Sequence, residues 1–179
     1  MPGYHIRQVA SLEALPGLRL DSFRALVLYF HHKTLSAPAL AALERFVHQG
    51  GGLLALHSAS ASFKEEPDYF DILGGRFDHH GPVQVYRVEP AVLASELSGA
   101  SGSFSIRDEL YRHKYDPGNT VHFWVETEQG REPLVWTRSY GQGRVCYCAA
   151  GHCSATLRHP SIQSIIRRGL GWVCGEQVA

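Results

Sequence analysis

The sequence predicts a single α/β domain, doubly wound around a mostly parallel sheet. Three observations predict it: short unbroken apolar runs of buried-strand length, helical apolar spacing between two of them, and a glycine triplet where helix meets strand. The run Ala25-Leu-Val-Leu-Tyr-Phe30 reads as a strand buried on both faces and ends at His31-His32. Ser36-Ala-Pro38 then supplies an N-cap and a first-turn proline. Leu40, Leu43, Phe46 and Val47 fall on one face of a helix near 38–49, which Gly50-Gly51-Gly52 stops. Leu53 to Leu56 is the next buried strand, so the segment is a βαβ unit with parallel pairing and a right-handed crossover.

Further strands are expected at Val83–Val88, Val121–Val125, Leu134–Trp136 and Gly143–Ala150, with a loop at Ser95–Ser105 and a closing helix over Pro160–Trp172. The start is atypical. Tyr4 to Val9 is weakly apolar and is the only candidate strand before Ala25, as if the first βα unit were missing. Either Tyr4–Val9 fills that gap, or a partner chain covers the sheet edge, which makes a homo-oligomer one expectation. No repeat or linker divides residues 1–179, so one domain is the economical reading.

The 179 residues are 44% apolar and 19% charged, with 17 basic side chains balancing 17 acidic ones. No basic field exists to hold a phosphate backbone, so nucleic acid is not expected as a partner. No stretch approaches the roughly 20 apolar residues that span a bilayer, and MPGYHIRQVA has no signal-peptide h-region. Cys146 and Cys148 alternate along one strand, about 7 Å apart and so too far for a disulfide. With Cys153 and Cys174 they read as free thiols in a cytoplasmic protein.

The C-terminal third carries Pro133-Leu-Val-Trp136-Thr, Gly141-Gln-Gly143-Arg144-Val145-Cys-Tyr147, Ala150-Gly151-His152 and Arg168-Gly169-Leu-Gly-Trp172. Upstream are Gly50-Gly-Gly-Leu-Leu-Ala-Leu-His57-Ser58-Ala59, Gly74-Gly75-Arg-Phe77 with His80, and Asp108-Glu109-Leu-Tyr111. This ordered series, from about residue 25 to 175, resembles the trehalose-utilisation (ThuA-like) family of the class I glutamine amidotransferase-like superfamily. The resemblance implies a flavodoxin-like, three-layer α/β/α fold and a role in using trehalose or a related disaccharide or keto-sugar. It also sets His57 where an amidotransferase has its cysteine, and His152 near that enzyme's triad histidine. Imidazole cannot form the thioester that glutamine hydrolysis needs, so glutaminase activity is not expected.

Eleven histidines are the unusual count. Ala55-Leu56-His57-Ser58-Ala59 has the small-x-x-x-small flanks of a tight strand-to-helix elbow. His152 follows the long strand of Val145–Ala150, and ligands of α/β sheets bind beyond the carboxyl ends of strands. His57 and His152 are therefore expected to share a crevice, their imidazoles within about 10 Å. Catalytic roles are expected for His57, His152 and Glu109. Substrate contacts are expected from Ser58, Tyr111, Asp108, His80 and Trp136, with Trp124 an alternative stacking face.

His57, His152 and His80 would be ligands if a divalent metal such as zinc is bound; no tight metal signature demands one. The same residues could instead form a metal-free cradle for sugar hydroxyls, or His57 could merely cap its turn. One of His31 and His32 is expected to join the site, while His5, His48, His122 and His159 have plainer readings and Cys153 is structural. The expected partner is a small-molecule sugar. Two functions stand: an enzyme of carbohydrate utilisation using histidine acid–base or metal-assisted chemistry, and a non-catalytic sugar-binding or regulatory module.

Overall fold

The computed structural model describes residues 3–91, 97 and 102–176. Two short 3-10 turns precede strand β1 (Ala25–Leu28) and helix α1 (Ala37–His48). Ser36 caps α1 by accepting the Ala39 N–H at 3.4 Å, and proline stands in the first turn. Strand β2 (Gly52–Leu56) runs into a 3-10 turn, His57–Ala61, and then helix α2 (Pro67–Leu73). Six strands follow among the described residues: β3 (Gly75–His80), β4 (Gln84–Pro90), β5 (Phe104–Asp108), β6 (Tyr111–Tyr115), β7 (Thr120–Thr127) and β8 (Gly130–Tyr140). Strand β9 (Gly143–Cys148) and helices α3 (Ser154–Arg158) and α4 (Pro160–Val173) complete the chain.

The main sheet has seven strands in the order β1-β2-β9-β8-β7-β4-β5, and β3 pairs with β6 in a separate ribbon. Only β1–β2 and β2–β9 are parallel; the pairings from β9 through β8, β7 and β4 to β5 are antiparallel. This corrects the mostly parallel expectation: an open, parallel flavodoxin-like sheet is not what the chain builds. Loop length is the reason. β7 and β8 are joined by Glu128–Gln129 alone, and β8 and β9 by Gly141–Gln142 alone. A parallel crossover needs a dozen or more residues, so these strands must turn back on themselves.

Helices cover both faces of β9. Cys146 and Leu54 lie under Gly169 of α4. On the opposite face Trp136 pairs with Tyr147, ring centroids 4.3 Å apart, and donates its indole N–H to the Leu73 carbonyl of α2 at 2.9 Å. Helix α1 comes so close to β9 that a Cβ on Gly143 would lie 2.1 Å from the Val47 carbonyl oxygen, which only glycine permits.

Tyr4–Val9 forms no strand; Tyr4 instead donates its hydroxyl to Glu176 at 2.9 Å. The outer side of β1 is therefore a sheet edge among the described residues, with Val27 exposed. The loop expected at Ser95–Ser105 lies largely outside the described residues, and its end, Phe104–Ser105, opens β5. All four cysteines are free. Among the described residues, no helix is long and apolar enough to cross a membrane.

Candidate functional site

Strands β2 and β9 are parallel neighbours, so their carboxyl ends open on the same side. His57 leaves the end of β2 with φ at +42°, a left-handed conformation that is strained for a side chain of this size. Gly151, just past β9, makes room for it: a Cβ there would lie 3.2 Å from the His57 Cβ. The imidazoles of His57 and His152 come together edge to face, centroids 5.9 Å apart.

The hydrogen bond from His57 Nδ1 to the Ala149 carbonyl is 2.8 Å. A carbonyl only accepts, so Nδ1 carries the proton. Burial holds His57 below the ordinary imidazole range, outweighing the pull of the Ala149 carbonyl and of Asp108 and Glu109. The ring is therefore neutral, and its bare Nε2 faces Glu109 Oε2 at 3.7 Å. His152 Nδ1 lies 3.1 Å from the same oxygen. Donor atoms of His57, Glu109 and His152 all fall within 4.8 Å of one another, a set suited to a metal ion.

Glu109 reaches this point from the turn between β5 and β6, although β5 is at the far edge of the sheet. The sheet curls enough for Asp108, at the end of β5, to accept the Gly151 N–H at 2.8 Å and the His152 N–H at 3.1 Å. Thr156 of α3 adds a bond to the Arg107 carbonyl at 3.3 Å.

A family model described as "Trehalose utilisation" matches residues 4–173. The chain belongs to the ThuA family. The family match thus starts well before residue 25, where the sequence motifs begin. Among solved structures, this ThuA domain is similar to a ThuA-like protein from Parabacteroides merdae, with TM-score 0.80 and 20% identity over 92% of this chain and 76% of that one. A ThuA-like protein from Bacteroides uniformis gives TM-score 0.78 and 19% identity over 92% and 75%. A β-galactosidase from Bacillus circulans aligns at TM-score 0.66 and 13% identity, over 91% of this chain but 24% of that enzyme. At these identities the likeness is one of fold. No curated protein matches the chain.

The ThuA domain brings some of the expected residues together and not others. Tyr111 lies on His57, centroids 4.1 Å apart, and burial with the Glu109 charge pushes its hydroxyl up to about 12. Ser58 is half-buried in the turn after His57. His80 is outside the three-ligand group: its Nδ1 is bonded to the Gly81 carbonyl at 2.7 Å and stands 3.8 Å from Glu109 Oε1. Asp108 is fully buried and spends both oxygens on backbone N–H groups, so it places His152 and does not meet a substrate. Trp136 is 0% exposed and cannot be a stacking wall, because β8 is central and α2 covers that face. Trp124 is half-buried beside Tyr115, away from His57.

His31 is exposed, and His32 packs on Phe30 and Phe63, so neither joins the cluster. Tyr29 does approach it, donating its hydroxyl to the Gly151 carbonyl at 2.8 Å. It follows β1 directly, on the strand end beside β2, and the parallel βαβ reading already implied that position. His113 is a further residue that the strand-end pattern does not single out. It alternates with Tyr111 and Tyr115 along β6, a period-two pattern that places all three on one face.

Proposed function

We propose that this ThuA-family chain is an enzyme of carbohydrate utilisation that holds one divalent cation on His57, Glu109 and His152 and acts on a sugar derivative. The observation that carries this reading is a contact left unmade: the bare Nε2 of His57 faces the Glu109 carboxylate across 3.7 Å, acceptor against acceptor. A cation between them turns that repulsion into two bonds. Two histidines and a glutamate with an open fourth position match a catalytic zinc set. Tetrahedral donors about 2.0–2.1 Å from zinc stand roughly 3.4 Å apart. The widest present separation allowed by the cluster is 4.8 Å, and His152, 41% exposed, has room to close it.

The cation would polarise a carbonyl or hydroxyl oxygen of the sugar. The chain's own residues do the rest. The Ala149 carbonyl fixes the His57 tautomer, and Asp108 fixes the His152 backbone. Tyr111 stays protonated at neutral pH, and Tyr29 and His80 are partly exposed beside the three ligands. His80, near Glu109 but outside the ligand set, is the group left to move a proton. The family description names trehalose, and a related disaccharide or keto-sugar is the wider substrate class of this reading. The free thiols suit a reducing cytoplasm.

Titrating the chelator-treated protein with Co²⁺ or Zn²⁺ tests the cation. One equivalent is expected to bind, and His57→Ala is expected to weaken binding at least 100-fold with the melting temperature preserved. Equal binding by the variant removes the proposed site. The two tyrosines beside the crevice favour a second reading, a sugar-binding module without turnover. It predicts that metal-loaded protein retains a disaccharide or keto-sugar unchanged, whereas the enzyme converts it and loses that conversion in His57→Ala.

A further inference from the structure

Beneath the His57 turn, away from the crevice, lies a second polar cluster sealed inside the protein. The His57 carbonyl oxygen lies 2.9 Å from the Tyr147 hydroxyl and 3.2 Å from the Ser60 hydroxyl. Those two oxygens are 2.7 Å apart, and His113 Nε2 stands 3.1 Å from Tyr147 and 3.5 Å from Ser60. On its other side His113 offers both Nδ1 and its backbone N–H to Glu132 Oε1, at 3.0 and 3.1 Å. Arg112 approaches the remaining Glu132 oxygen at 3.7 Å.

The protons can be counted. Glu132 accepts, so His113 Nδ1 carries the hydrogen and Nε2 is an acceptor. Two hydroxyl protons, from Tyr147 and Ser60, then meet two outside acceptors, the His57 carbonyl and His113 Nε2. The circuit is complete, and burial keeps it from exchanging partners with water: the His113 side chain is 0% exposed. Such a network costs desolvation that a plain apolar core would avoid. It ends on the carbonyl of the one residue in the β2 turn whose backbone is held at φ +42°.

We infer that Tyr147, backed by Ser60, His113 and Glu132, is a positioning residue for His57, clamping its peptide so that the imidazole Nε2 points at Glu109. His57 is then held at two points, the ring by the Ala149 carbonyl and the peptide by Tyr147. The inference rests on the reading that His57 Nε2 is the working atom of the crevice.

Tyr147→Phe removes one oxygen and keeps the ring. Two variants control for the loss of a buried tyrosine hydroxyl. Tyr69→Phe removes a bond to the Ala59 carbonyl, 2.9 Å, in the same turn, and Tyr86→Phe removes a buried hydroxyl with no hydrogen-bond partner. Two readouts are taken with thermal melts: Co²⁺ affinity, and the solvent exchange rate of the His57 Nδ1 proton by NMR in metal-free protein.

Tyr147→Phe is expected to melt like Tyr69→Phe, lose at least tenfold in Co²⁺ affinity, as loss of a group that orients a ligand does, and exchange that proton at least tenfold faster. Both controls are expected to stay within threefold of wild type. If Tyr147→Phe also stays within threefold on both readouts, the inference is overturned. If wild type binds no Co²⁺, the cation reading falls and the proton-exchange rate alone decides the clamp. Should Tyr147→Phe not fold, Ser60→Ala, which removes the other hydroxyl on the His57 carbonyl, takes its place under the same criteria.

Discussion

Two polar clusters meet at the His57 turn, and they are built in opposite ways. In the inner one, His113, Tyr147, Ser60 and Glu132 Oε1 are linked by hydrogen bonds of 3.5 Å or less, and Arg112 approaches the second Glu132 oxygen at 3.7 Å. In the outer one, the bare His57 Nε2 and the Glu109 carboxylate face each other as acceptors at 3.7 Å, beside an exposed His152 whose Nδ1 stands 3.1 Å from the same carboxylate oxygen. Both contain histidine and glutamate, so residue type alone does not tell them apart. Donor count does. A satisfied buried network defines a structure, whereas converging unsatisfied acceptors define a place for a ligand.

The strongest test of that contrast swaps one carboxylate on each side. Glu132→Ala strips two N–H groups of His113 of their acceptor inside the protein, and a loss of about 3 kcal/mol is expected in urea unfolding. Glu109→Gln is expected to leave unfolding within about 0.5 kcal/mol of wild type, as substitutions away from buried networks do, while cutting cation affinity at least 100-fold. If the two variants behave alike, the distinction between the clusters is lost.

Trp136→Phe separates core from crevice more gently. It leaves the Leu73 carbonyl without its indole donor, so a loss of about 1–2 kcal/mol is expected. Sugar binding, measured by calorimetry, is expected to be unchanged; a changed affinity would return Trp136 to the wall of the site.

Acidity gives the gentlest test. Burial holds His113 below the ordinary 6.5, against the pull of its Glu132 partner, with the Tyr147 and Ser60 hydroxyls as its other polar neighbours. Below that pH the unfolded chain takes up a proton that the folded chain refuses, so stability falls as pH drops through 6.5. In chelator, unfolding midpoints at pH 7.5 and 5.5 are expected to differ by less in His113→Gln than in wild type. Equal differences would show that His113 is not one of the groups responsible.

The β1–α1–β2 unit and α4 were legible because their signals are local: an N-cap serine, first-turn prolines and apolar spacing. The reversal of the sheet beyond β9 was written in the two-residue links at 128–129 and 141–142, and strand spacing alone did not convey it. Within the site, His57 and His152 were legible from strand ends. Asp108 and Glu109 were not separable, since neighbours at a strand end point different ways and only the curl decides which one turns inward. Trp136 misled because an aromatic on a strand looks the same whether it is covered by a helix or open to a sugar. Tyr4–Val9 has strand-like residues but no pairing partner in the sheet.

The curl of the sheet has a mechanical consequence. His57 and His152 belong to the parallel end, and Glu109 hangs from the opposite rim, so the three donors sit where a bent hoop nearly meets itself. A cation bound there, as proposed, would be a clasp. Opening the hoop would break it, so binding would raise the cost of separating β5 from the loop after β9, and saturation at 100 times Kd would add about 2.7 kcal/mol to the whole domain. Strand pairings that never touch the ion would then be slower to open when it is bound.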